Sequence, residues 1–145
     1  MRRKVIDDQV SLVTGLGLGF TIAIQVTTLT RSDFADIYSQ ITTASRFFAL
    51  IGSYLAIIGL LLIARISWIE SVIGHDRLVT WHRKSMPYAL YFITAHILLV
   101  VLGYAGGDQV RIGAQLWTMI TTYPWMLPAT LGFIFLLVAG VTSYR

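Results

Sequence analysis

Gly74 to Ala105 reads GHDRLVTWHRKSMPYALYFITAHILLVVLGYA, and the reading of this stretch decides the fold. It begins with a charged turn, Gly74-His75-Asp76-Arg77. It then passes through Trp81-His82-Arg83-Lys84 and becomes a long apolar run that holds one more histidine, His96. A run of that length is a transmembrane helix candidate, and a histidine inside one is costly and marks a functional-site hypothesis. His82 and His96 stand fourteen residues apart. At roughly 100° per residue, that interval falls within about 40° of whole turns, so both rings leave the same side of a helix. At about 1.5 Å per residue the rings stand roughly 21 Å apart along the axis. One then lies toward each side of a hydrocarbon core about 30 Å thick. Two metal centres stacked across a bilayer need this geometry.

The whole chain supports a membrane reading. Its 145 residues are 56% hydrophobic and 12% charged, with mean hydropathy +0.72. These values suit a polytopic membrane protein of one domain, residues 1–145. The net charge of +4 lies between apolar runs instead of forming a basic patch, so no nucleic-acid partner is expected. There are no cysteines, which excludes disulfides, covalent c-type haem and cysteine-ligated iron–sulfur clusters.

Four uncharged stretches are long enough to span. Met1-Arg2-Arg3-Lys4 and the run Gln9 to Thr30 read as an uncleaved signal anchor, with a twin-arginine signal as the alternative. The GLGLG segment within it lacks the strand that a nucleotide-binding loop requires. Close helix packing through Gly15 and Gly19 is the expectation. The second span is Phe47 to Ala64, with Gly52, Ala56 and Gly59 on one face, suited to tight helix contact and to a flat cofactor. Ile66 to Thr80 reads as a connecting loop. The third span is Ser85 to Gly107, with Pro87 in its first turn, or kinking it after His82 if the helix starts earlier. Asp108 to Thr122 reads as an interfacial helix with an apolar face of Val110, Ala114, Trp117 and Ile120 or Thr121. Pro124 and Pro128 then open the fourth span.

The expected architecture is an all-α, four-helix transmembrane bundle. Eight basic residues (Arg2, Arg3, Lys4, Arg65, Arg77, Arg83, Lys84, Arg145) fall on the N-terminal side of the membrane and three (Arg31, Arg46, Arg111) on the other. The positive-inside rule then places both termini in the cytoplasm, as expected of a multi-pass protein of a bacterial plasma membrane.

Imidazole is an axial ligand for haem iron. His82 and His96 are the candidate ligands. For His82 the alternative is an interfacial polar residue, and for His96 a neutral ring hydrogen-bonded to a neighbouring helix. His75 shares their side only if the helix reaches back to it, and Gly74 beside it suggests a turn. Zinc and copper fit less well, because no acidic residue lies within a span. The same lack disfavours a proton or metal transporter.

The order Arg46…Gly52, Ala64-Arg65, Gly74-x-Asp76-Arg77-Leu78, Trp81-His82-Arg83, His96 and Thr142-Ser143 resembles the ferric reductase-like transmembrane domain. That family includes ferric reductases, NADPH oxidases and ferredoxin-reductase-type membrane proteins. The resemblance covers residues 46–145. It implies that His82 ligates an inner b-type haem and His96 an outer one, with electrons crossing the membrane between them. It implies a cytoplasmic donor carrying FAD and NAD(P)H, in a further domain or another protein. The family's opposing ligands follow its fourth span, so they are expected beyond Arg145 or on another chain of a homo- or hetero-oligomer. Arginines at the cofactor edges suit propionates, since a guanidinium pairs with a carboxylate in a fixed fork. Arg46 is the candidate at the outer haem and Arg83 or Arg77 at the inner. Met86 stands where the family often has glycine, four residues after the first histidine. The rival expectation is a small membrane anchor or assembly subunit without cofactor.

Overall fold

The structure is a computed structural model that describes residues 2–143, with side chains from residue 5 onward. Arg145, counted among the inner basic residues, lies outside the described residues, as do the side chains of Arg2, Arg3 and Lys4. The described residues form helices and no strand: α1 Arg2–Thr27, a 3-10 turn Arg31–Phe34, α2 Ile37–Ile63, α3 Ser67–Ile73, α4 His75–Gly107, α5 Ile112–Thr122 and α6 Met126–Thr142.

Three helices, α1, α2 and α4, are long and apolar enough to cross a membrane. A fourth crossing exists only if α5 and α6 count as one broken span, and these two are bent by 110°. The bend has a local cause. Tyr123 precedes Pro124 and takes the extended backbone (ψ 134) that this position favours. Trp125 then sits at φ 66, a left-handed conformation that turns the chain into α6. α6 has 17 residues, about 26 Å of helix, somewhat short of the hydrocarbon core by itself.

The expected span limits need correction. α2 begins at Ile37, ten residues before Phe47. Asp36 caps it, its carboxylate accepting from the backbone N–H of Tyr38 at 2.8 Å and of Ser39 at 3.0 Å. Residues 39–45, rich in Ser and Thr, are helical as well, and their hydroxyls are satisfied within the helix, Thr42 donating to the Tyr38 carbonyl and Ser45 to that of Thr42. The expected loop of residues 66–80 is also helical. α3 occupies Ser67–Ile73, and Gly74, at φ 91, turns the chain directly into α4. The turn is therefore at Gly74 alone, where a glycine meets no steric penalty, and His75 is the first residue of α4. Pro87 lies well inside that helix, leaving the Arg83 carbonyl without its helical donor.

α2 and α4 pack antiparallel along their lengths and form the centre of the protein; the other helices touch them locally. Buried Gly52 shows how close they come. A Cβ there would lie 3.0 Å from the backbone N of Ile93 and 2.8 Å from its Cγ1. Helices in lipid gain little from burying apolar surface against each other, so their contact depends on small residues that let backbones approach. Large apolar side chains face outward instead, among them Leu12, Leu16, Phe20, Ile57, Leu60 and Phe135. That surface fits a lipid bilayer.

One packing expectation also changes. Gly15 and Gly19 meet nothing within 4 Å, whereas Gly17 receives Tyr54 of α2. The Tyr54 hydroxyl lies over Gly17 and donates to the Thr14 carbonyl at 2.8 Å. On α5 the residues that pack inward are Gln115 and Met119, while Trp117 is 70% exposed. Ala114 and Trp117 lie on its outer face, the side that an interfacial helix turns to the membrane.

Candidate functional site

His82 and His96 both turn toward α2. The Nδ1 of His82 lies 2.8 Å from the Gly59 carbonyl, and that of His96 lies 2.9 Å from the Ser45 carbonyl. Gly59 and Ser45 are fourteen residues apart, as the two histidines are. In an antiparallel pair, equal intervals on both helices return the same contact. The repeat is finer than that: Ser45, Gly52 and Gly59 recur every seven residues on α2, and His82, Ala89 and His96 do so on α4. Ser45, Gly52, Gly59 and Ala89 are buried. A seven-residue period is the one at which two helices keep the same faces together over many turns. The side chains along this seam are small except at the two histidines.

The hydrogen bonds fix the chemistry of each ring. A carbonyl oxygen only accepts, so Nδ1 must carry the proton. Each carbonyl accepts here through the lone pair that its own helical bond leaves free. In the neutral ring, Nε2 then holds a lone pair. Neither Nε2 has a hydrogen-bond partner among the described residues, and neither is sealed from the surface. Each histidine is thus held by one nitrogen and offers the other. Histidines that bind metals have this arrangement, the second ring nitrogen donating to a carboxylate or a backbone carbonyl. The same bond also satisfies a histidine that merely packs between helices.

Around His82 the seam is crowded. Met86, one turn further on, packs its sulfur onto Gly59. It lies against α2, in the space a side chain at residue 59 would take. Near His96, Phe48 and Phe92 stack at 5.6 Å between ring centroids.

The arginines are placed differently. Arg46 pairs with Asp33, Nη1 to Oδ1 at 2.8 Å, which ties the start of α2 to the 3-10 turn. Asp33 also accepts from the Thr30 hydroxyl at 2.7 Å, the Thr30 N–H at 2.8 Å and the Thr43 hydroxyl at 3.3 Å. The Thr30 hydroxyl does most to hold the Asp33 carboxyl below its ordinary range; half-exposed Arg46 contributes least, as screening requires. The Ser39 hydroxyl likewise leads in lowering Asp36. Arg77 forms an ion pair with Asp7 of α1 and lies 5.1 Å from the centroid of the Trp81 ring, so it joins α1 to α4. Arg83 is exposed and has no partner among the described residues. His75, on the same helix as the other two histidines, faces Glu70 of α3 at 3.6 Å.

Two hollows lie elsewhere. A polar one of about 300 Å³ at the start of α2 includes Asp33, Asp36, Arg46 and Asp108. An apolar one of about 320 Å³ separates α4 from α5 at Leu98, Leu102 and Leu116. Neither touches His82 or His96. Among the described residues no three His, Asp or Glu side chains gather as a metal site.

Comparison with family models, with characterised proteins and with solved structures gives no match. Sequence reading reached the two histidines and the small face of Gly52 and Gly59. It missed Ser45 and Gly59 as hydrogen-bond acceptors. The signal was present as the same fourteen-residue interval on both helices, but it shows only when the antiparallel pairing is known.

Proposed function

We propose that this chain is a membrane electron-transfer component that holds b-type haem, and that it corresponds to the N-terminal part of a ferric reductase-like transmembrane domain. The observation that carries the reading is the pair of Nδ1–carbonyl bonds, which leave two Nε2 lone pairs fourteen residues apart on one helix. The donor set fits haem iron, for which imidazole is an axial ligand.

Bound haem would supply one-electron redox chemistry between a donor and an acceptor. The chain's own part is to hold and orient. His82 would take the inner position and His96 the outer, with both termini in the cytoplasm. The Gly59 and Ser45 carbonyls keep each ring in the Nε2-basic tautomer. Arg83, exposed beside His82, is available to a propionate there. Arg46 would reach one at the outer side while still bound to Asp33, since a guanidinium has five donors. By the same resemblance, ligands opposite His82 and His96 would come from a further segment or a second chain. A cytoplasmic flavin protein using NAD(P)H would be the donor, and a bacterial plasma membrane the location.

The rival is a cofactor-free anchor or assembly subunit. It is favoured by the same bonds, which suffice to satisfy both histidines as packed residues.

The deciding experiment is a dithionite-reduced minus oxidised spectrum of the detergent-purified chain, expressed with haem supply and with its neighbouring membrane segments. A b-type α-band that disappears in His82→Ala or His96→Ala supports electron transfer. No haem under those conditions leaves the anchor.

A further inference from the structure

We propose that Gly59 and Met86 together act as a positioning pair that selects the tautomer and direction of His82, so that Nε2 is the atom offered to a ligand. The meaning for cofactor binding rests on the haem reading above; the positioning itself does not.

Three contacts meet at one point of the seam. The Gly59 carbonyl accepts the His82 Nδ1–H at 2.8 Å. Met86 closes over the Cα of Gly59, so that a Cβ there would clash with its Sδ and lie 3.3 Å from its Cγ. The same Cβ position is 3.7 Å from His82 Nδ1. A methyl at residue 59 therefore cannot be added without moving Met86. Met86 sits one turn after His82 on the same helix, so a methyl at residue 59 turns its flexible thioether aside in the space beside the His82 ring, where the ring must reach the carbonyl. Without that bond the ring loses its tautomer preference and its fixed direction. At His96 no such pair exists. Its acceptor belongs to Ser45, whose side chain bonds the Thr42 carbonyl instead, so His96 is the internal reference.

The test uses ¹⁵N-histidine NMR of the full chain in detergent micelles, without haem. In the native chain both histidines should show a protonated Nδ1 and a bare Nε2. Gly59→Ala should shift His82 to a mixture of tautomers and leave His96 unchanged. Gly59→Ala combined with Met86→Ala should restore the native His82 signal, because the vacated space accepts the new methyl. A native His82 signal in Gly59→Ala overturns the proposal, and so does failure of the double variant to recover while His96 stays native. If haem binds, the Gly59→Ala spectrum gives a second readout: a changed α-band at one haem only. Absence of haem would overturn the haem reading but leave the tautomer result standing.

Discussion

His96 Nδ1 lies 2.9 Å from the carbonyl of Ser45, the most deeply buried polar residue among those described, at 0% exposure. Because the acceptor is backbone, the bond should be indifferent to the hydroxyl. Ser45→Ala should keep His96 in its Nδ1–H form and cost no more than about 1 kcal/mol for the lost bond to Thr42. Ser45→Leu should force the helices apart and cost on the order of 1–3 kcal/mol. Thermal unfolding in detergent, with the His96 ¹⁵N signal followed alongside, separates the two.

The three glycines of GLGLG should respond unequally. Gly17→Ala places a methyl against the Tyr54 ring and should loosen α1 from α2, lowering the unfolding midpoint by several degrees. Gly15→Ala and Gly19→Ala meet open space and should be neutral or slightly stabilising through helix propensity. Tyr54→Phe, which deletes the bond to Thr14, should fall between them at about 1 kcal/mol. Equal effects at all three glycines would contradict the observed contact. The chain has no cysteine, so disulfide trapping between single thiols placed in α1 and α2 can check the separation directly.

Acid should unravel the start of α2 before the rest. Asp33 and Asp36 are both held below the ordinary carboxylate value of 3.8. A lowered folded value means that the folded state binds protons less readily than the unfolded one. The contribution is therefore complete above that ordinary value and is lost as pH falls through the lowered ones. Amide exchange at Tyr38 and Ser39 should stay constant between roughly pH 7 and 5, after allowance for the intrinsic rate, and accelerate below about pH 4. Asp36→Asn, which keeps an acceptor at the cap, should weaken this acid response.

Arg77 joins α1 to α4 through Asp7 and also lies beside the Trp81 ring. Arg77→Lys keeps the charge but loses the planar face and the fork. It should reduce contact between α1 and α4 more than Arg83→Lys, whose side chain has no partner among the described residues. Cross-linking yield between thiols at the two helix ends is the measurement.

The long apolar runs revealed three of the helices, because a segment with no water to satisfy its backbone must form its own hydrogen bonds. Their ends were less legible. Hydropathy located the charges at Arg46 and Lys84, but the helices continue past them. Asp36 caps α2 ten residues before the charge at Arg46, and Gly74 turns the chain into α4 ten residues before the charge at Lys84. Charged terminal turns protrude from an apolar slab without ceasing to be helix. For the site, the interval between His82 and His96 was readable as a shared face. What they face was not, since the pairing of Ser45 with His96 and of Gly59 with His82 depends on a register that no local pattern encodes.

The matched fourteen-residue intervals on α2 and α4 make the hairpin a ruler with two scales. Between Gly59 and His82 the connection can lengthen or shorten without disturbing either ring. Within the ruled segments the tolerance is nil. One residue deleted between His82 and His96 turns every later side chain by about 100° and slides it about 1.5 Å. That takes His96 off Ser45 while leaving His82 on Gly59. Length variation in descendants of this sequence should therefore gather in the joint at α3, with the ruled segments varying by substitution alone.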